Sequence, residues 1–304
     1  MKLLSFLIKT HLHLSLANAL LIHCVMLTFF DLYSWALTTF LFGITGFVYS
    51  LNSLGDKEED KINSPGKHDI FKRYGRIIVG SYMLTALVSL LFLASNLYFS
   101  ISVLAVFIIG IIYTFPLFPW FSSGQIKFYR LKEIFFFKNF MTSVTYVFYT
   151  FLLPFVYFEK SPEFSLWMII GIFLMLTMVS AIICDIRDIT GDQEVGIQTI
   201  PTQLGREKSM ILCYGMILTP LFISFVIRSI NLLSANSFAI ILVICLIQLA
   251  VLIYDQIFRF KREFHGFASE VYIYVSAFSL VFYFWLGGLF YSFGRKMEVF
   301  KNLP

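Results

Sequence analysis

Charge is what this 304-residue chain has least of: Asp, Glu, Lys and Arg make up only 13% of it, against 59% hydrophobic residues. With a mean hydropathy of +0.82, that scarcity excludes an ordinary water-soluble globule. It also excludes a nucleic-acid partner, because a net charge of +5 spread over so few ionisable groups makes no basic face. Cysteine is sparse as well. Cys24, Cys184, Cys213 and Cys245 stand alone in or beside apolar runs, so neither a disulfide framework nor a thiolate metal site is expected, and the four are read as packing residues. No low-complexity tract and no soluble domain interrupts the chain, which reads as one domain over 1–304. The N-terminal stretch has no short apolar core followed by a small-residue cleavage site, so no cleaved signal peptide is expected. A short amphipathic helix on the membrane surface is expected there instead.

What the chain has in quantity is apolar runs of bilayer length. Nine spans are expected, at roughly 15–31, 34–51, 76–95, 97–114, 135–157, 165–184, 209–228, 236–254 and 271–293. The fold class expected is an all-α integral membrane protein, with the helices in two four-helix groups plus one. Between spans, long charged segments (52–75, 115–134, 185–208 and 255–270) alternate with short links. The 23 Lys and Arg residues concentrate in the N-terminus and these long segments, whereas the short links hold only Lys160 and Arg228. Positive residues favour the cytoplasmic face, which puts the N-terminus and all the long segments on that side.

Two of those segments carry most of the chemistry. Asn52-Ser-Leu-Gly-Asp56-Lys-Glu-Glu-Asp60 follows an apolar run, and its polar residues recur every fourth position. On a helix that spacing keeps them on one face. Asp185-Ile-Arg-Asp188-Ile-Thr-Gly-Asp192 follows another apolar run with i, i+3, i+7 spacing, again one face. Carboxylates at the end of a membrane span are costly unless paired, hydrated or bound to metal. Several hard oxygen donors suit Mg²⁺, which keeps waters and bridges protein acids to substrate phosphates. Asn52, Asp56, Asp60, Asp185, Asp188 and Asp192 are therefore the candidate metal-side residues, and both columns are expected to face the same side of the membrane.

These two motifs resemble the paired aspartate-rich motifs of the UbiA superfamily of intramembrane prenyltransferases. The similarity extends to Lys61-Ile-Asn63, to Gly196-Ile-Gln-Thr199-Ile-Pro201 and Leu204-Gly205, and to the nine-helix plan. The resemblance implies an Mg²⁺-dependent enzyme that transfers a prenyl group from an isoprenoid diphosphate to a lipophilic or aromatic acceptor, such as a quinone precursor, within the membrane. It implies catalytic roles for Asp56, Asp60, Asp188, Asp192 and Lys132, and diphosphate contacts from Asn52, Arg130, Lys132 and Lys138. Two departures stand out. Thr45 occupies the position, seven residues before Asn52, where many members carry an Arg that meets the acceptor's carboxylate. Lys67 lies where others carry Arg-Pro pairs. Two other readings compete: a membrane terpene cyclase that ionises the diphosphate without a separate acceptor, and a divalent-cation transporter.

Overall fold

The computed structural model describes residues 2–258 apart from 31, 95, 123–124, 163 and 234. The expected ninth span at 271–293, and most of the segment 255–270, lie outside these. A short helix α1 (Lys2–Lys9) leads through His11, at φ 60, into α2 (Leu12–Phe30). Then come α3 (Trp35–Gly55), α4 (Lys57–Asn63), α5 (Pro65–Leu93) and α6 (Leu97–Thr114). An antiparallel hairpin follows, β1 (Phe118–Ser122) with β2 (Gln125–Tyr129), in the register Phe118 to Tyr129. Helix α7 (Phe137–Val147) passes through a wide π-turn at Phe148–Leu152 into α8 (Leu153–Tyr157), where Pro154 contributes no N–H to the ladder. The chain closes with α9 (Phe164–Glu194), α10 (Ile200–Ser229) and α11 (Ala235–Phe258).

Among the described residues, seven helices are long and apolar enough to cross a bilayer, and the apolar stretch Leu12–Leu27 is shorter. Large side chains such as Leu91 (79% exposed), Phe92, Ile211 and Phe222 point outward, as lipid-facing residues do. The helix ends are set by local chemistry. Ser34 and Asn96 each accept the backbone N–H of the third residue on, Leu37 at 3.2 Å and Phe99 at 2.9 Å, capping α3 and α6. Thr199 and Thr202 cap α10 reciprocally, and Gly205, at φ 76, bends that helix where a residue with a Cβ would be strained.

Two apolar clusters organise the bundle. One joins α2, α3, α5 and α6 through Ile22, Met26, Leu37, Phe40 and Phe99. The other joins α2, α9, α10 and α11 through Leu21, Val25, Leu176, Val179, Cys213, Ile217 and Cys245. Neighbouring residues of α2 serve different clusters, so α2 lies between them. The expected long segments contain more helix than their charge suggested. Residues 52–75 form α4 and the first turns of α5, and α9 runs on to Glu194. A charged residue breaks the apolar pattern without breaking the helix.

Helices α3 and α5 approach most closely at Gly43 and Gly46. A Cβ on Gly43 would sit 2.6 Å from the Ala86 backbone nitrogen, and one on Gly46 would overlap the Tyr82 ring. Tyr82 is pinned in turn by its hydroxyl, which donates to the Thr10 carbonyl at 3.1 Å. Replacing Gly43 by Val must push the two backbones apart, so a loss of about 1–3 kcal/mol is expected. Thermal unfolding in detergent should show it as a lowered midpoint.

A candidate active site at one end of the bundle

The first acidic column is built by a change of direction. Apolar α3 ends at Gly55, and Asp56 has a non-helical backbone (φ −95, ψ 35) before α4 begins. The i to i−4 hydrogen bonds nevertheless carry through: the Asp56 N–H donates to Asn52 O and the Asp60 N–H to Asp56 O, both at 2.8 Å. Asn52, Asp56 and Asp60 therefore do not share one straight helix, as their spacing suggested. They flank a kink whose hinge is Asp56. Gly55 supplies the room for it, since a Cβ there would press on Thr114. Asp60 then meets Lys67, in the first turn of α5, at 2.7 Å.

The segment before α7 brings the bases. Arg130 is held by Glu133, with Nε donating to Oε1 at 2.6 Å. Its Nη1 reaches Glu59 at 3.1 Å and Asp56 at 3.5 Å. Lys132, only 1% exposed, pairs with Asp56 and lies 3.1 Å from Glu59. A left-handed turn at Phe136 (φ 72) then starts α7, whose second and third residues face the other column. Lys138 contacts Asp185 at 2.9 Å and Asp192 at 2.7 Å, while Asn139 Nδ2 donates to Asp185 Oδ2 at 2.8 Å.

The second column lies on uninterrupted α9, as its spacing predicts. Asp188 pairs with Arg187 at 2.5 Å. Asn63, at the end of α4, locks the two columns together. Its Nδ2 donates to the Asp188 carbonyl at 3.4 Å, and its Oδ1 accepts the Gly191 N–H at 3.2 Å. Gly191 permits this approach, because a Cβ there would run into the Asn63 amide. Both columns thus meet at one end of the bundle. Arg130 and Lys132 sit against the first, and Lys138 sits against the second.

Burial sets the electrostatics. It pushes the Asp60 carboxyl above its ordinary value, and Lys67 only partly opposes this. Burial pulls the Arg130 guanidinium down, but the carboxylates of Glu133, Glu59 and Asp56 outweigh it and hold its pKa above the ordinary value. His11, buried and hydrogen-bonded to Ser53 at 3.0 Å, is held well below its ordinary value by burial and by Lys67, His13 and Arg187.

Among the described residues, no three acidic, His or Cys side chains converge into a ready-made metal cage. An all-protein cage is not what Mg²⁺ needs, since it binds through one or two carboxylates together with substrate phosphates. The donor set fits that mode. The buried oxygens Asn52 Oδ1 and Asp60 Oδ2 have no hydrogen-bond partner, and both are hard donors beside further carboxylates.

Asn52 also lines a cavity between α2, α3, α6 and α7 with about 1040 Å³ of empty space, part of it open to the surroundings. Its walls are apolar and aromatic, with Phe47, Tyr49, Phe107, Tyr113, Tyr146 and Tyr149 among them. Phe128, four residues before Lys132, is exposed on the hairpin, whereas Tyr113 lines the cavity.

Glu59, Asn63 and Arg187 join the site without having been singled out as site residues. Glu59 had a readable signal: it lies one helical turn from Asp56, on the same face. The bonds of Asn63 to α9 cross 125 residues of sequence and carry no local signal.

A sequence model of the UbiA prenyltransferase family matches residues 15–278. No curated protein sequence matches significantly. Among solved structures, a UbiA homologue from Archaeoglobus fulgidus bound to DMAPP and Mg²⁺ is similar, with a TM-score of 0.58 and 14% identity over 90% of this chain and 98% of that one. The same homologue bound to GPP and Mg²⁺ gives a TM-score of 0.58 at 13% identity, over 90% and 98% of the two chains. A digeranylgeranylglyceryl phosphate synthase gives a TM-score of 0.52 at 16% identity, over 92% and 98%. At these identities the structural likeness speaks for the fold.

The pairs at the site differ in burial, and stability should follow. Lys132→Met takes the buried cation from Asp56 and Glu59, which keep only Arg130 among the described residues, and should cost up to about 3–5 kcal/mol. Lys67→Met opens a pair whose lysine is 22% exposed and should cost about 1 kcal/mol or less. Parallel thermal melts of the two variants check the ranking.

Proposed function

This chain belongs to the UbiA prenyltransferase family, and from that premise we propose that it transfers a prenyl group from an isoprenoid diphosphate to a lipophilic aromatic or quinone-precursor acceptor, with Mg²⁺, inside the membrane. It is an integral membrane prenyltransferase. One observation carries the finer reading. Two acidic helix ends, clasped to Arg130, Lys132 and Lys138, meet at one end of the bundle, and Asn52 of the first column lines the aromatic cavity. Such a site offers oxygens for a metal, cations for a diphosphate and an apolar sleeve for a prenyl chain. The solved homologue bound to DMAPP and Mg²⁺ supports the same assignment.

Asn52, Asp56, Asp60, Asp185, Asp188 and Asp192 would hold the metal. Once bound, Mg²⁺ supplies Lewis-acid neutralisation of the leaving diphosphate. Arg130, Lys132 and Lys138 hold the diphosphate oxygens through charge-assisted hydrogen bonds and stabilise the charge that grows as the allylic C–O bond breaks. The bonding electron pair leaves with the diphosphate. The ring faces of Tyr49, Tyr113, Tyr146 and Tyr149 stabilise the allylic cation and keep water from it. The acceptor's carbon then forms the new bond to that cation and gives up a proton. The concentration of Lys and Arg in the segments around the site supports a cytoplasmic-facing mouth.

In purified, lipid-reconstituted protein, diphosphate release should require Mg²⁺ and an aromatic acceptor, and should stop with EDTA. Asp56→Ala and Asp188→Ala should each lower turnover by about 10²-fold or more while the helical circular-dichroism signal is kept. Full turnover by Asp188→Ala would remove the second column from the mechanism. Cyclic hydrocarbon formed from the diphosphate alone would replace transfer by cyclisation.

A further inference from the structure

The deep part of the cavity contains a polar pair that the diphosphate chemistry does not use. Asn18, in the middle of apolar α2, is 5% exposed and lines the cavity beside Thr45, which is 7% exposed. Asn18 Nδ2 donates to Thr45 Oγ1 at 3.4 Å, and Asn18 Oδ1 has no hydrogen-bond partner. A buried amide with one end unpaired costs free energy that a ligand can return. Thr45 lies seven residues before Asn52 on α3, so the pair sits about 10 Å further into the membrane than the metal-side oxygens. An isoprenoid chain has no group that could bond to an amide. The free end of Asn18 therefore matches a different molecule, one carrying a polar head into the cavity.

The rest of the lining narrows that head group. Among the described residues, no Lys, Arg, His, Asp or Glu lines the cavity. A carboxylate there would be buried with no cation to neutralise it, at a cost that a neutral group escapes. A hydroxyl both donates and accepts, so it satisfies Asn18 whichever way the amide is turned, and Thr45 as well.

Building on the transfer reading above, we propose that Asn18 and Thr45 dock the second substrate and select an uncharged, hydroxyl-bearing aromatic over its carboxylated counterpart. Asn18 meets the hydroxyl directly, and Thr45 shares it. The two set the depth at which the ring presents itself to the allylic carbon near Asn52.

The test measures acceptor binding directly, in protein reconstituted in nanodiscs without diphosphate, by the fluorescence of 1-naphthol and of 1-hydroxy-2-naphthoate. Wild type should bind the naphthol at least about tenfold more tightly than the hydroxynaphthoate. Asn18→Leu should weaken naphthol binding about tenfold, the effect of losing one well-made hydrogen bond. Thr45→Val, which keeps shape and loses only the hydroxyl, should weaken it several-fold. Thr45→Arg should reverse the preference towards the carboxylate. In turnover assays Asn18→Leu should raise KM for the acceptor and leave KM for geranyl diphosphate unchanged. Wild type that binds neither ring, or prefers the carboxylate, overturns the proposal. So does naphthol binding that is indifferent to both Asn18→Leu and Thr45→Val. Mg²⁺-dependent binding of geranyl diphosphate is measured separately. Its absence would strike the transfer reading itself, and its presence with a failed naphthol test would strike only this assignment.

Discussion

A carboxylate at the negative end of a helix, beside a hydrocarbon layer, is destabilised by desolvation and by the helix dipole together. Asp56 closes α3 and Asp192 lies in the last turn of α9, so both sit at that unfavourable pole. The converse holds for the bases: Lys67 and Lys138 lie in the first turns of α5 and α7, at positive poles. These four charges lie where their own helix dipoles disfavour them. Each of these four is satisfied by a partner on another element, and this exchange helps hold the site together. Lys132 and Arg130 tie the segment before α7 to the end of α3, and Lys138 ties α7 to α9.

Close packing gives that exchange its geometry. Gly43 and Gly46 let α3 lie against α5, and Tyr82 fills the remaining gap. Asn63 docks α4 onto α9 at Gly191, where no side chain stands in the way. The two apolar clusters meet along α2, and the cavity opens beside that helix with the acids at one end of it. The polar site is thus a by-product of where the helices stop, and the cavity of where they fail to touch.

The acidic columns were legible in the sequence for a simple reason: a charge every third or fourth residue stands out against an apolar background, and a helix turns that spacing into a face. The bilayer-length runs were legible for the same reason. The kink at Asp56 was not. Its spacing is helical, its hydrogen bonds remain i to i−4, and only its backbone angles depart. How far the helices run into the charged segments was not legible, since α5 begins at Pro65 and α9 runs to Glu194 while hydropathy marks where the membrane ends and not where the helix does. The hairpin at 118–129 was not legible because two five-residue strands inside a charged segment between spans give no run long enough to mark them. The pairing of particular acids with particular bases spans tens of residues, and no local pattern encodes it.

The charge ledger of the site also bears on how it takes up its ligands. Asp56, Glu59, Asp60, Glu133, Asp185, Asp188 and Asp192 stand against Lys67, Arg130, Lys132, Lys138 and Arg187, with a modest negative excess. A diphosphate arriving alone would gain the bases but face the acids, and a divalent cation alone would gain the acids but face the bases. Arriving together they carry little net charge, and each can take one half of the pairs already made. On the proposed function the acids would turn from lysine to metal and the lysines from acid to phosphate, and the low-dielectric interior would not have to hold an uncompensated charge. Such an exchange needs acids and bases in contact beforehand, which is how Lys132 and Asp56, and Lys138 and Asp192, are arranged.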